Sequence, residues 1–540
     1  MKLSLHRICG LLAAIALFGL AATTVFLGCR GQYGAIQKGG GGTTDFLTTG
    51  RTASFFQAIQ VDPRSEDTAG PQFVAAADID SDGLLDLVSA WNQSQPVQIH
   101  FQRRDAAGTI SFETVTLAGN IPVVRVAGLA VADFDNDGAP DVAVLVKETA
   151  DDLPLACLGG APGAGYHGVL IIYFGPVDPG QTTQALAWTE TPVEGSRLLG
   201  LPIPTFAGPP EEEGYTSLAI GDLNKDGYPD AVVALNDPCE PNNPKVITFM
   251  NLGPGPARDG TWAVAAVPDP FEKAARLSDE PGLVSPPRVK DVALGDVDND
   301  GDLDIVVTYP DAVSMNVRWY RNPAIDIADD YHFSSSEWRV GTVGQVSPKK
   351  EPFPGPFPDL GGADVIRVAD VDHDGLLDVV VRSSGGRVIQ WFKGPGFHAT
   401  TDPVRNIPWQ VYTIAEFNER TPAGIATGDL NFDGQVEVVA SAGGGFLFLD
   451  SKAAPSVYDQ WIEQLIIDDS PPANAGSGPA TTDPNVAPAA VADTTFINSI
   501  LVVDLDGDGA NDVVATFDRT GLSGLSNDAI VWFRNTLTPP

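Results

Sequence analysis

The sequence predicts an all-β fold, a seven-bladed β-propeller of four-stranded antiparallel blades, and three observations predict it. One acidic nine-residue loop recurs seven times along the 540 residues. Each copy sits between short apolar strands in a constant order. The 57 Gly and 44 Pro, with no long amphipathic helical pattern after residue 30, call for many turns. Four short strands per unit, repeated seven times, build a ring of blades, each burying its faces against its neighbours.

The chain begins with residues 1–29, "MKLSLHRICGLLAAIALFGLAATTVFLGC", where Lys2 and Arg7 precede the apolar run Ile8 to Leu27. This is an export signal, and its end resembles a lipoprotein cleavage box in which Cys29 is lipidated and becomes the mature N-terminus. The alternative is an uncleaved anchor, since twenty apolar residues can span a bilayer. Residues 30–53, containing "GAIQKGGGGTTD", read as a flexible Gly-rich tether. The repeated region occupies 54–540. An extracytoplasmic, lipid-anchored location at the cell envelope or cell surface follows as an expectation.

Charge narrows the partners. Lys plus Arg number 32 against 70 Asp plus Glu, a formal net charge of −38. Such a surface repels phosphate backbones and excludes nucleic acid, while it suits divalent cations.

The repeated loop has the frame D-x-[DN]-x-D-G-x-x-[DE]. Its four side-chain liganding positions, the first, third, fifth and ninth, are Asp78, Asp80, Asp82 and Asp86 in loop 1, and Asp133, Asp135, Asp137 and Asp141 in loop 2. Loop 3 has Asp222, Asn224, Asp226 and Asp230; loop 4 has Asp296, Asp298, Asp300 and Asp304. Loop 5 has Asp370, Asp372, Asp374 and Asp378; loop 6 has Asp429, Asn431, Asp433 and Glu437; loop 7 has Asp504, Asp506, Asp508 and Asp512. Two carboxylates about 5 Å apart repel by roughly 3 kcal/mol at an effective dielectric of about 20, so a cation must offset the crowding. Hard Ca²⁺ takes six to eight oxygens, and alternate side chains converge on one point when the backbone wraps around it. Gly at the sixth position (Gly83, Gly138, Gly227, Gly301, Gly375, Gly434 and Gly509) permits that turn. The seventh carbonyl and the ninth carboxylate complete the shell, so up to seven Ca²⁺ are expected, one per blade. Asp and Gly are also ordinary turn residues, but seven copies with an acid at position nine exceed what turns require. Position twelve is never Glu, and strands follow the loops, so these are not EF-hands.

The flanks follow the same order each time. An apolar strand precedes each loop ("RVAGLAVA", "YTSLAIG", "VIRVA") and another follows ("DVAVLV", "DIVVTY", "DVVVRS"). A third alternates and is often aromatic ("NVRWYRN", "VIQWFKG", "AIVWFRN"), and a fourth completes the unit ("SFETVTL", "WQVYTI"). The seventh unit lacks a fourth strand, and "SFFQAIQVD" (54–62) reads as its replacement, closing the ring without a free edge. Trp319, Trp391 and Trp532 in the third strands are expected to pack between blades.

The seven D-x-[DN]-x-D-G loops followed by "DVVV" and "WF(R/K)(N/G)" resemble FG-GAP/VCBS repeat proteins, whose relatives include the propellers of integrin α-subunits. The resemblance covers about 54–540 and points to the bacterial branch, because the Phe-Gly and Gly-Ala-Pro signatures are missing or degenerate. It implies seven blades with calcium clipping the first and second strands of each. It names no ligand, since such folds carry many functions.

Long connections gather on the face opposite the loops, where propellers recognise partners. Cys157 and Cys239 lie in two of them and can pair in an oxidising compartment, or remain separate thiols. The connection with Lys349, Lys350 and Phe353 is the better contact candidate on that face. The six His (His6, His100, His167, His332, His373 and His398) share no spacing, and no Ser/His/Asp signature, P-loop or zinc pattern occurs. The expectation is a monomeric, non-catalytic adhesion or binding module for a polysaccharide or protein partner. A polysaccharide lyase or hydrolase on the same scaffold, or a structural spacer, are the alternatives.

Overall fold

The computed structural model describes residues 56–61, 70–149, 168–196, 214–236, 245–267, 288–310, 312, 316–323, 338–346, 362–395, 409–417, 422–442, 445–450, 461–467, 496–518 and 529–537. The signal, Cys29, the tether, Cys157, Cys239, His167, His332, His398, Lys349, Lys350 and Phe353 lie outside them.

Twenty-eight strands form seven four-stranded antiparallel sheets. Strand β1 (Phe56–Gln60) belongs to the last sheet. Sheet 1 contains β2 (Pro71–Ala77), β3 (Asp86–Trp91), β4 (Val97–Arg104) and β5 (Ile110–Thr116). Sheet 2 contains β6 (Val123–Ala132), β7 (Asp141–Thr149), β8 (Val169–Phe174) and β9 (Thr189–Pro192). Sheet 3 contains β10 (Gly214–Gly221), β11 (Asp230–Asn236), β12 (Lys245–Met250) and β13 (Ala263–Ala266), with helix α1 (Pro254–Asp259) before β13. Sheet 4 contains β14 (Val292–Gly295), β15 (Asp304–Thr308), β16 (Val317–Arg321) and β17 (Arg339–Gly344). Sheet 5 contains β18 (Val365–Ala369), β19 (Asp378–Ser383), β20 (Val388–Lys393) and β21 (Gln410–Glu416). Sheet 6 contains β22 (Pro422–Gly428), β23 (Glu437–Ala442), β24 (Gly445–Asp450) and β25 (Ile462–Ile467). Sheet 7 contains β26 (Phe496–Val503), β27 (Asp512–Asp518), β28 (Ala529–Asn535) and, as its fourth strand, β1.

The fold is an all-β propeller of four-stranded antiparallel blades. First strands are neighbours in series, β2 beside β6, β6 beside β10 and onward to β22 beside β26, and β26 also lies beside β2. Second strands run apolar on both faces because a neighbouring sheet covers each face, and every residue of β3, β11 and β15 is buried. Packing between blades joins Trp532 of β28 to Val74, Leu87 and Trp91 of sheet 1, and Trp319 of β16 to Ile366 and Val379 of sheet 5. Phe112 of β5 meets Trp532 edge-on with centroids 6.1 Å apart. Trp391 is stacked on Tyr412 of its own blade, with centroids 4.7 Å apart. Strand β1 pairs with β28 from Phe56 opposite Asn535 to Gln60 opposite Val531, the edge that the sequence leaves open.

Candidate metal centre

Every loop joins a first strand to a second, and the seven share one backbone geometry. The Gly at position six has positive φ in each, between 78° at Gly434 and 94° at Gly301. Position four is also left-handed: Ser81, Asn136, Lys225, Asn299, His373 and Phe432 have φ from 57° to 62°, and Gly507 has φ 69°. Residue type varies there because the fold asks only for that backbone conformation, so His373 is a turn residue.

The four positions divide their work. The first carboxylate turns both oxygens to backbone: Asp296 Oδ1 accepts from Asp300 N at 2.9 Å and Oδ2 from Gly301 N at 2.8 Å. In loop 1 Asp78 does the same toward Asp82 N and Gly83 N, each at 3.0 Å. The fifth carboxylate accepts from the seventh N–H, as Asp374 does from Leu376 at 3.0 Å. The ninth is fully buried, and in five loops it fastens two elements. Asp86 Oδ2 accepts from Ile79 N at 3.0 Å, and its Oδ1 from Gln102 N in β4 at 2.8 Å. Asp141, Asp230, Asp378 and Asp512 repeat both bonds. In loop 6 Glu437 takes the bond from Leu430 N, and its second oxygen accepts from Asn431 Nδ2.

Burial raises the ninth carboxyl against those stabilising bonds: Asp86, Asp378 and Asp512 to about 7, Asp141 and Asp230 to about 8, and Asp304 well above the ordinary range. Asp298 rises to about 6, from burial first and then from Asp300 beside it.

The third position shows whether a cation fits. Asp298 is 4% exposed and its Oδ1 has no hydrogen-bond partner; Asp506 is 3% exposed with its Oδ1 in the same condition. Asp80 and Asp372 also have a buried, unpartnered Oδ1. Leaving a buried carboxylate oxygen unpaired is costly, and Asp80, Asp298 and Asp372 each belong to a close group of acids. Asp78, Asp80 and Asp86 can place one oxygen each within 4.8 Å of one another, as can Asp296, Asp298 and Asp300, and Asp370, Asp372 and Asp374. Asp133, Asp135 and Asp141, and Asp429, Asp433 and Glu437, form further such groups. An all-oxygen, multiply charged donor set with spare lone pairs fits a hard divalent cation such as Ca²⁺.

Two further kinds of residue belong to these loops and went unassigned in the sequence. One is an amide side chain at the end of the third strand. Asn322 Nδ2 donates to Leu223 O of the preceding blade's loop and to Leu303 O of its own, both at 2.8 Å. Asn251 reaches Phe134 O, Asn535 reaches Leu430 O, and Gln102 reaches Leu505 O, which ties sheet 1 to sheet 7. Where Gly stands instead, at Gly175 and Gly394, a Cβ would lie 2.4 Å from Pro140 O and 2.2 Å from Leu377 O. The "(N/G)" alternation was the available signal. The other kind is a basic side chain on the third and fifth carboxylates, as Arg321 is on Asp298 and Asp300.

Comparison with protein families matches FG-GAP-like repeats to residues 78–144 and 370–440, which contain loops 1, 2, 5 and 6. The chain thus carries FG-GAP-like repeats on a β-propeller. Comparison with curated proteins finds no match. Among solved structures, BBS1N in its complex with ARL6DN is similar at 12% identity and TM-score 0.43, over 90% of this chain and 99% of that one. An Agrocybe aegerita lectin that recognises non-reducing terminal N-acetylglucosamine is similar at 14% identity and TM-score 0.38, over 74% of this chain and 81% of that one.

Proposed function

We propose that the chain is a calcium-stabilised propeller with seven blades closed by β1, exported and held at the cell envelope through Cys29. In this reading it acts as a non-catalytic binding or adhesion module for a polysaccharide or protein. The observation that carries the reading is the employment of the loop acids. The first, fifth and ninth carboxylates accept backbone N–H bonds that shape the loop and pin the third strand, and the third keeps a buried, unpartnered oxygen in loops 1, 4, 5 and 7. Acids engaged in this way build a scaffold and are poorly placed for acid–base chemistry on a substrate. His100 supports the same reading, being fully buried with Ser89 Oγ 2.8 Å and Thr114 Oγ1 2.9 Å from its ring nitrogens. Ca²⁺ would be held by the third-position oxygens with the neighbouring first, fifth and ninth carboxylates, and would supply the charge that keeps them together.

The test is co-sedimentation of the calcium-loaded protein with soluble polysaccharides, following polymer length at the same time. Retention with unchanged polymer length is the expected outcome. Shortened polymer replaces this reading with a lyase or hydrolase.

A further inference from the structure

Among the described residues, five of the seven loops have a basic side chain on the third and fifth carboxylates, supplied by three different routes. In loops 4, 5 and 7 it comes from the third strand of the same blade. Arg321 Nε and Nη2 donate to Asp298 Oδ2 and Asp300 Oδ2, both at 2.8 Å. Lys393 pairs with Asp372 and with Asp374, the latter at 2.6 Å. Arg534 lies 2.5 Å from Asp506 Oδ2 and 3.4 Å from Asp508 Oδ2. In loops 1 and 2 the equivalent strand position is aromatic, Phe101 or Phe174, and an arginine arrives from elsewhere. Arg103 lies over the Phe101 ring at 5.1 Å and reaches Asp80 and Asp82 at 2.6 and 3.4 Å. Arg258, on α1 of the next blade, lies over the Phe174 ring at 5.3 Å and pairs with Asp135 and, at 2.5 Å, with Asp137.

Loops 3 and 6 lack the third-position acid. There Asn224 Nδ2 donates to Asp226 Oδ2 and Asn431 Nδ2 to Glu437 Oε1, each at 3.0 Å. Among the described residues no basic side chain pairs with the third and fifth positions of these two loops, and Lys225 of loop 3 turns instead to Asp302 of loop 4. Four carboxylates with one basic group leave a formal charge of −3 at the liganding positions of loops 1, 2, 4, 5 and 7, and the three carboxylates of loop 3 carry the same −3.

We propose that Arg103, Arg258, Arg321, Lys393 and Arg534 are resident counter-cations, which share the loop carboxylates with the divalent ion. The division of oxygens supports sharing. In loops 1, 4 and 5 the basic group takes Oδ2 of the third-position Asp, while Oδ1 stays buried and unpartnered, and the same Asp belongs to a group of three acids whose oxygens lie within 4.8 Å of one another. A charge fixed to the fold holds these loops closed when the metal is absent, and fixes how far their stability depends on calcium. This inference rests on the calcium reading above.

The test compares thermal melts of the full-length protein in chelator and in saturating Ca²⁺. Arg321→Met is expected to lower the metal-free melting temperature by at least about 2 °C, and the calcium-loaded one by less. Adding Asp298→Asn reproduces the Met250 and Asn224 pair of loop 3, and the double variant is expected to recover most of the metal-free loss. Lys393→Met with Asp372→Asn repeats the comparison at a more exposed site. An equal loss with and without calcium and no recovery in the double variants would make these residues packing elements and overturn the proposal; so would the absence of any loss. Recovery in the double variants of a protein whose melt ignores calcium would uphold the counter-cation role and refute the calcium reading alone.

Discussion

The side-chain amide of Asn322 donates to the carbonyl oxygen of Leu223 at 2.8 Å, across 99 residues of chain, from a third strand to the loop of the preceding blade. Its backbone N–H meanwhile donates to Asp304 Oδ1 at 2.8 Å. One residue thus joins its own loop, its own strand and its neighbour, and the accepting Leu223, fully buried, is removed from water. Asn322→Ala keeps the backbone bond and orphans the carbonyls, so a loss of about 1–3 kcal/mol is expected by chemical denaturation. A loss below about 0.5 kcal/mol would show that water or another donor replaces the amide.

Gly394 makes the complementary prediction. Its N–H donates to Asp378 Oδ1 at 2.7 Å while a Cβ would press on Leu377 O at 2.2 Å. Gly394→Ala is expected to destabilise the protein by about 1–3 kcal/mol, with sheet 5 opening first in hydrogen exchange. An unaltered exchange pattern with unaltered stability would refute the close approach.

Chelation should lower the melting temperature, because a ligand held only by the folded chain stabilises it by mass action. The fall should reverse when Ca²⁺ is restored. A melt indifferent to chelator would remove calcium from the account and leave the basic residues as the sole counter-charge.

His100 gives a pH prediction. Burial drives its pKa down to about 3, whereas an unfolded histidine titrates near 6.5. The unfolded chain therefore binds the proton first, and this group's contribution is complete above about pH 6.5 and is lost as pH falls toward 3. Between pH 7 and pH 4 the wild type should lose more melting temperature than His100→Gln, which does not titrate there. Parallel losses in the two proteins would mean that His100 is protonated in the fold.

Much of this molecule was legible in the sequence. The repeated Asp and Gly positions located every first-to-second-strand turn, since few residue types allow that left-handed bend and that crowding of acids. The pairing of Phe56–Gln60 with β28 was legible too, because an apolar strand with an unpaired edge calls for a partner. The roles of the acids were less so. Spacing marked all four as ligands, but the bond that joins the ninth to the third strand appears only when that strand is in place. The tertiary structure alone decided which charges face the loops. Arg258 reaches Asp137 across 121 residues and from another blade, and no local spacing announces it. Local backbone rules act within a few residues and can be read from the sequence alone. Charge pairing acts through space, and the ring of blades determines which side chains come within reach of each other.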